Sequence, residues 1–177
     1  ERTWSTAHQP VCAPADRWHA WFATDRVTFE RRDGAIDTRT EIAVVPQDAA
    51  EVRRITLTNT GRSPREVELT SYGEVVLASA DADRAHPAFG NLFVETAWHA
   101  WCGAITATRR PRSALEPPRW FVHVVATDRE RVGDVSCETD RARFLGRGRS
   151  TRNPLALEVD GPLSGTTDSY LACADVW

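Results

Sequence analysis

Over much of this chain apolar and polar side chains alternate with a period of two, the spacing of a half-buried β-strand. Val27, Phe29 and Arg31 alternate with Thr28, Glu30 and Arg32. Asp33-Gly34 follows as a turn able to take positive φ, which predicts a hairpin. Thr40, Ile42 and Val44 alternate with Arg39, Glu41 and Ala43 until Pro46 stops the strand. Ile55 and Leu57 share a face in the run 51–59, and residues 59–64 read as a loop by composition. Val67 and Leu69 resume the alternation, which continues through Tyr72 to Leu77, with Gly73 marking a bulge or a close backbone approach. Further strands are expected at 91–96, 104–108, 135–139, 155–159 and 169–173. The run 120–127 is apolar on both faces, so it is expected to be a central, covered strand. No window of a dozen residues carries a helical period. Short strands between Gly, Pro, Asn and Asp turns predict an all-β, antiparallel sandwich or barrel, in one domain over residues 1–177. Trp18-His19-Ala20-Trp21 recurs as Trp98-His99-Ala100-Trp101, but the flanks do not match and the echo reads as coincidence.

Composition narrows the chemistry. All 22 basic residues of the 177 are Arg, and there is neither Lys nor Met. Schiff-base chemistry and a P-loop lysine are thereby excluded. A start at Glu1 reads as a processed chain or a fragment, and it lacks the basic-then-apolar pattern of a signal peptide. A chain of this size buries roughly 70% of its unfolded surface and needs no metal or disulfide to fold. The net charge of −3 argues against nucleic acid as a partner. No apolar run approaches the ~20 residues of a membrane span. Cys12, Cys102, Cys137 and Cys173 are scattered without zinc spacing and read as buried free thiols, so neither metal nor cofactor is expected.

Two Arg-rich loops interrupt the strand pattern. One holds Arg109, Arg110 and Arg112 and closes at Arg119; the other runs from Thr139 through Phe144, Arg147 and Arg149 to Arg152. An Arg fork grips a carboxylate, a phosphate or a pair of sugar hydroxyls, and intervening glycines let the backbone come close. The same arginines would equally pair with neighbouring Glu and Asp as a solvated surface. Seven Trp is a high number for this length, and exposed indoles are platforms for the apolar faces of sugars. Trp98 and Trp101, nearest a loop, are the better candidates. On strand spacing Trp18 shares a face with Phe22, and Trp21 with His19. His123 lies in an apolar strand and reads as a core imidazole, and His86 with Asp81 and Asp83 reads as turn chemistry.

Several segments in order resemble a known family. They are Val52 to Asn59, Glu68 to Leu77, His86-Pro87-Ala88-Phe89 before Leu92 to Thr96, Ala107 to Ser113, Glu138 to Arg141 with Phe144 to Gly148, and Gly161 to Thr167. The series resembles the β-sandwich region of the glycosyltransferase family 36 proteins. These are the cellobiose and chitobiose phosphorylases and, most similar, the phosphorylase-like region of cyclic β-1,2-glucan synthases. The resemblance implies a large antiparallel super-sandwich related in fold to galactose mutarotase. It also implies a helical-barrel catalytic domain outside this chain, so no catalytic residue is carried over. It implies, further, contact with a β-glucan or oligosaccharide and with the barrel, and homodimer formation. Arg109, Arg110, Arg112, Phe144, Arg147, Arg149, Trp98 and Trp101 are the candidates for that contact. The expected location is cytoplasmic, in a parent attached to the bacterial inner membrane. Two other readings stay open: a mutarotase-type epimerase, using His86 or His123 as acid with Glu74 or Glu95 as base, and a stand-alone carbohydrate-binding module.

Overall fold

A computed structural model describes residues 2–111, 113, 115–159, 161–167 and 174–176. The chain divides into two compact units, 1–67 and 68–177. Both are built mainly of antiparallel strands.

The first unit is a four-stranded sheet in sequential order, β1 (Arg17–Phe22), β2 (Val27–Asp33), β3 (Ile36–Val44) and β4 (Glu51–Asn59). The expected hairpin joins β2 to β3, with Asp33 opposite Ile36 across the two-residue loop Gly34-Ala35. Gly34 takes a φ of +61° at the first loop position, where a type II′ turn demands it. One face carries Phe29, Arg31 and Asp33 opposite Thr40, Thr38 and Ile36. Its centre is polar and buried. The Arg31 side chain is fully enclosed and uses all five of its N–H donors. Nε and Nη2 grip the Asp33 carboxylate at 2.5 and 2.7 Å, Nη1 donates to the Ser5 and Ala7 carbonyls, and Nη2 also donates to that of Ala13. Arg31 thus ties the segment preceding β1 onto the sheet.

The second unit contains a three-stranded sheet, β6 (Val94–His99), β7 (Ala104–Arg109) and β8 (Arg119–Val124), with β7 in the middle. A shorter pair joins β5 (Tyr72–Glu74) to β9 (Ala174–Val176). Three short helices are α1 (Ala80–Ala85), α2 (Pro87–Asn91) and α3 (Arg141–Leu145). The apolar core lies here in three clusters. Val75, Val94 and Ala107 pack with Leu77 and Phe121; Ile105 and Cys137 with Trp98, Val125 and Val135; Phe144 and Leu145 with Tyr72, Ala156 and Leu163.

Several expectations are corrected. The strand at 120–127 is β8, an edge strand rather than a central one, and Trp120, Val122 and Val124 on one face are 63, 62 and 58% exposed. Its apolar run reflected two different neighbourhoods, because Phe121 meets the core while the alternate residues face outward. Residues 66–70 pair with nothing among the described residues, leaving only Tyr72–Glu74 of that run as strand. The stretch 135–139 is reduced to a single bridge at Glu138, where the Gly165 N–H donates to the Cys137 carbonyl at 2.8 Å and the Thr139 N–H to that of Thr166 at 3.2 Å, and Leu155–Leu157 forms a 3₁₀ turn. Asp81, Asp83 and His86, read as turn chemistry, fall in α1 and at its junction with α2, helices too short for a helical period to show. Position 169–173 lies outside the described residues. Of the tryptophan echo, the first copy is wholly within β1, whereas the second straddles the end of β6 and the following turn.

Candidate functional site

The first Arg-rich loop leaves the end of β7. Arg109 is only 5% exposed. Its guanidinium lies 5.6 Å from the Phe93 ring centre, a cation–π arrangement. Its Nη2 has no hydrogen-bond partner among the described residues. The Arg110 backbone N–H donates to the Phe93 carbonyl at 2.9 Å, and its side chain is exposed. Arg112 lies outside the described residues.

The second loop is organised by α3. The Asp140 carboxylate caps it, accepting from the N–H groups of Ala142 and Arg143 at 2.9 and 3.2 Å. Phe144 is 2% exposed and its ring stacks on Tyr72 at 5.3 Å, so it belongs to the core and offers no open ring face. Gly146 follows with a φ of +80° and passes so near Leu155 that a Cβ would come within 2.8 Å of the Leu155 Cβ. Arg147 is exposed, whereas Arg149 is half-buried and paired with Glu158 at 2.6 Å.

Around α3 the structure gathers groups that the sequence pattern did not link. The Tyr72 hydroxyl and Arg141 Nε both donate to Glu74 Oε1, at 2.6 and 2.9 Å. Burial pushes the Tyr72 phenol well above its ordinary range, and the Glu74 carboxylate adds to that. Glu74 itself titrates low: burial opposes this, but hydrogen bonds from Tyr72 and Arg141 outweigh it. Beside them, the buried Glu138 accepts from the Asp140 N–H and from Ser164, which also bonds Thr166. Arg143 reaches Thr166 at 3.2 Å. This network fastens residues 164–166 to 137–143.

Trp98 is half-buried against the Ile105–Cys137 cluster. Trp101, in the β6–β7 turn, is 87% exposed. The acid–base pairs considered for an epimerase fare differently. Glu95 stands opposite Thr108 and His123 opposite Ile105, three positions along β7, so the two side chains leave opposite faces of one sheet. Glu74 is engaged by Tyr72 and Arg141. His86 is exposed at the junction of α1 and α2.

A feature missed in the sequence lies on the polar face of the β1–β4 sheet. Trp21, Thr28, Glu30 and Arg39 surround an open hollow of about 250 Å³. Arg39 bridges Glu30 and Glu41 at 3.1 and 3.2 Å. The signal was available in the alternation, which puts Trp21, Thr28, Glu30 and Arg39 on the side opposite Phe29, but strand spacing alone does not give the register that makes them neighbours. Among the described residues there is no cluster of three metal-ligating side chains, and no helix is long and apolar enough to cross a membrane.

Residues 1–174 match the family model described as glycosyl hydrolase 94, supersandwich domain. The chain is also similar to the cyclic beta-(1,2)-glucan synthase NdvB of Rhizobium meliloti (strain 1021), with 36% identity over 163 residues. That alignment covers 92% of this chain and 6% of the relative, so the chain spans a small part of the relative's length. With its antiparallel sheets, the resemblance carried by the segments from Val52 to Thr167 and a match running from 1 to 174, this chain belongs to the glycosyl hydrolase 94 supersandwich domain family.

Proposed function

We propose that this chain is a non-catalytic domain of a cyclic β-glucan synthase or glycoside phosphorylase type of enzyme. It supports a helical-barrel catalytic domain outside the chain and offers contact to glucan or to a second subunit. The observation that carries this reading is the match to a supersandwich domain, which runs without a break across both units. That continuity also favours treating 1–177 as one domain. The contact surface draws on Trp101, Arg110 and Arg147, which are exposed, and on Arg112. Arg109, Arg149 and Trp98 stand behind it as supports, held respectively by Phe93, Glu158 and the Ile105 cluster. In the intact parent we place this region on the cytoplasmic side of the bacterial inner membrane.

The test is an assay of the isolated chain with β-linked glucose disaccharides and inorganic phosphate. No sugar phosphate is expected, and steady release of it by this chain alone overturns the non-catalytic reading. Quenching of tryptophan fluorescence by β-1,2-glucan, and not by unrelated glycans, is expected of the carbohydrate contact. Absence of quenching at millimolar sugar removes it.

A further inference from the structure

On the polar face of the β1–β4 sheet, strand register sets side chains in rows. Trp21 stands opposite Thr28, and His19 opposite Glu30. Glu30 in turn stands opposite Arg39, and Arg39 opposite Thr56. The hollow bounded by Trp21, Thr28, Glu30 and Arg39 is open to solvent on one side. A second hollow of about 210 Å³ shares Glu30 and Arg39 with it and continues to Thr56 and Thr58. Neither is large enough to enclose a drug-sized molecule. Both suit a chain lying along the surface.

We infer that this face is a glucan subsite, with one sugar ring lying over the Trp21 indole and its hydroxyls held by the Arg39–Glu30 pair. The inference rests on the reading of the domain as glucan-contacting, and it names a site distinct from the two Arg-rich loops. Three properties of the face point to a neutral polyhydroxylated ligand. First, Trp21 is 48% exposed on an otherwise polar surface, beside the His19 ring at 5.8 Å, so an apolar ring face is on offer where water gains little. Second, the charges cancel locally. Arg39 is held between Glu30 and Glu41, so an anion meets two carboxylates and a cation meets the guanidinium. Third, the ion pairs hold those planar groups in place. A guanidinium fork donates to two adjacent oxygens while the carboxylate accepts from neighbouring hydroxyls, the complementary halves of a vicinal diol. Thr28, Thr56 and Thr58 add hydroxyls that either donate or accept. The second hollow extends the same chemistry towards β4, where the next ring of the chain would lie.

Titration calorimetry of the whole chain with linear β-1,2-linked gluco-oligosaccharides tests this, in the unmodified protein and in Trp21→Ala, Trp21→Phe, Glu30→Gln and Trp101→Ala. The expected result is a loss of affinity of about tenfold or more in Trp21→Ala, which corresponds to about 1.4 kcal/mol. Trp21→Phe recovers most of it, Glu30→Gln weakens binding, and Trp101→Ala lowers the affinity less than Trp21→Ala does. Binding that survives Trp21→Ala and is lost in Trp101→Ala overturns the subsite and leaves the glucan-contact reading intact. No binding by the unmodified chain overturns both. Should Trp21→Ala fail to fold, amide chemical shifts of the unmodified chain decide. Sugar-dependent changes centred on Thr28, Glu30 and Arg39 support the site, and changes confined to the second unit overturn it.

Discussion

Arg31 shows how far a residue's role departs from its type. A fully buried guanidinium carries a large desolvation cost, offset here by the Asp33 carboxylate and three backbone carbonyls. Removing one partner strands the other. Asp33→Ala is therefore expected to destabilise the first unit by about 3–5 kcal/mol, whereas the paired replacement Arg31→Met with Asp33→Leu costs less. Urea unfolding of the single and double variants measures the difference, and equal losses in both contradict the account. The Tyr72–Glu74 pair gives a second test at this scale. The Tyr72 phenol is held protonated by burial and by Glu74, so its folded value lies above its unfolded one. Its contribution to stability is intact below the ordinary tyrosine range and is lost as pH rises through the raised value. A tyrosinate absorbance titration should show a late-ionising phenol. Tyr72→Phe removes that step, and Glu74→Gln moves it part of the way back, since burial remains. The alternation placed Arg31 on the side of Val27 and Phe29, but not the enclosure of the guanidinium: the carbonyls of Ser5, Ala7 and Ala13 reach it from a segment without any periodic pattern.

At the scale of elements, turns and edges separate what is local from what is not. The Gly34 turn was legible because Asp-Gly between two alternating runs is a short-range signal. The role of Gly146 was not, since it depends on Leu155. Both glycines have positive φ, yet only one is crowded: no atom lies within 4 Å of a Cβ built at Gly34, against 2.8 Å at Gly146. Gly34→Ala should cost about 1–2 kcal/mol, the backbone penalty alone. Gly146→Ala should cost more, because α3 and the 3₁₀ turn must also move apart. Denaturation midpoints of the two variants check the order, and a reversed order would contradict the packing at Leu155. The short helices escaped notice for a related reason. A helix of five or six residues completes too few turns to display a period, and α3 is held by the Asp140 cap and by burial of Phe144 and Leu145 rather than by propensity.

Over the whole molecule, the two units differ in what fills their interiors. Arg31, Asp33, Thr38 and Thr40 are buried in the first, whereas the three apolar clusters lie in the second. Amide exchange should reflect this as two separate protected zones, one in β2 and β3 and the other in β7, with β1 and β8 at the sheet edges exchanging faster. A single zone confined to one unit would contradict it. Of the candidate contact residues, the sequence identified the Arg-rich loops and the tryptophans but not their burial. Phe144 and Trp101 are both aromatic residues in loop-flanked segments, yet one is enclosed and the other almost fully open. What the sequence determined by itself is the all-β character, the β2–β3 hairpin, the strand phases of the first unit and the family, because alternation, turn chemistry and motif order are properties of neighbours along the chain. Only the tertiary structure decided which arginines are interior ties and which are exposed, which strand is an edge, and that Trp21, Thr28, Glu30 and Arg39 meet around one hollow. Burial and register depend on partners far apart in sequence, and a local pattern carries no record of them.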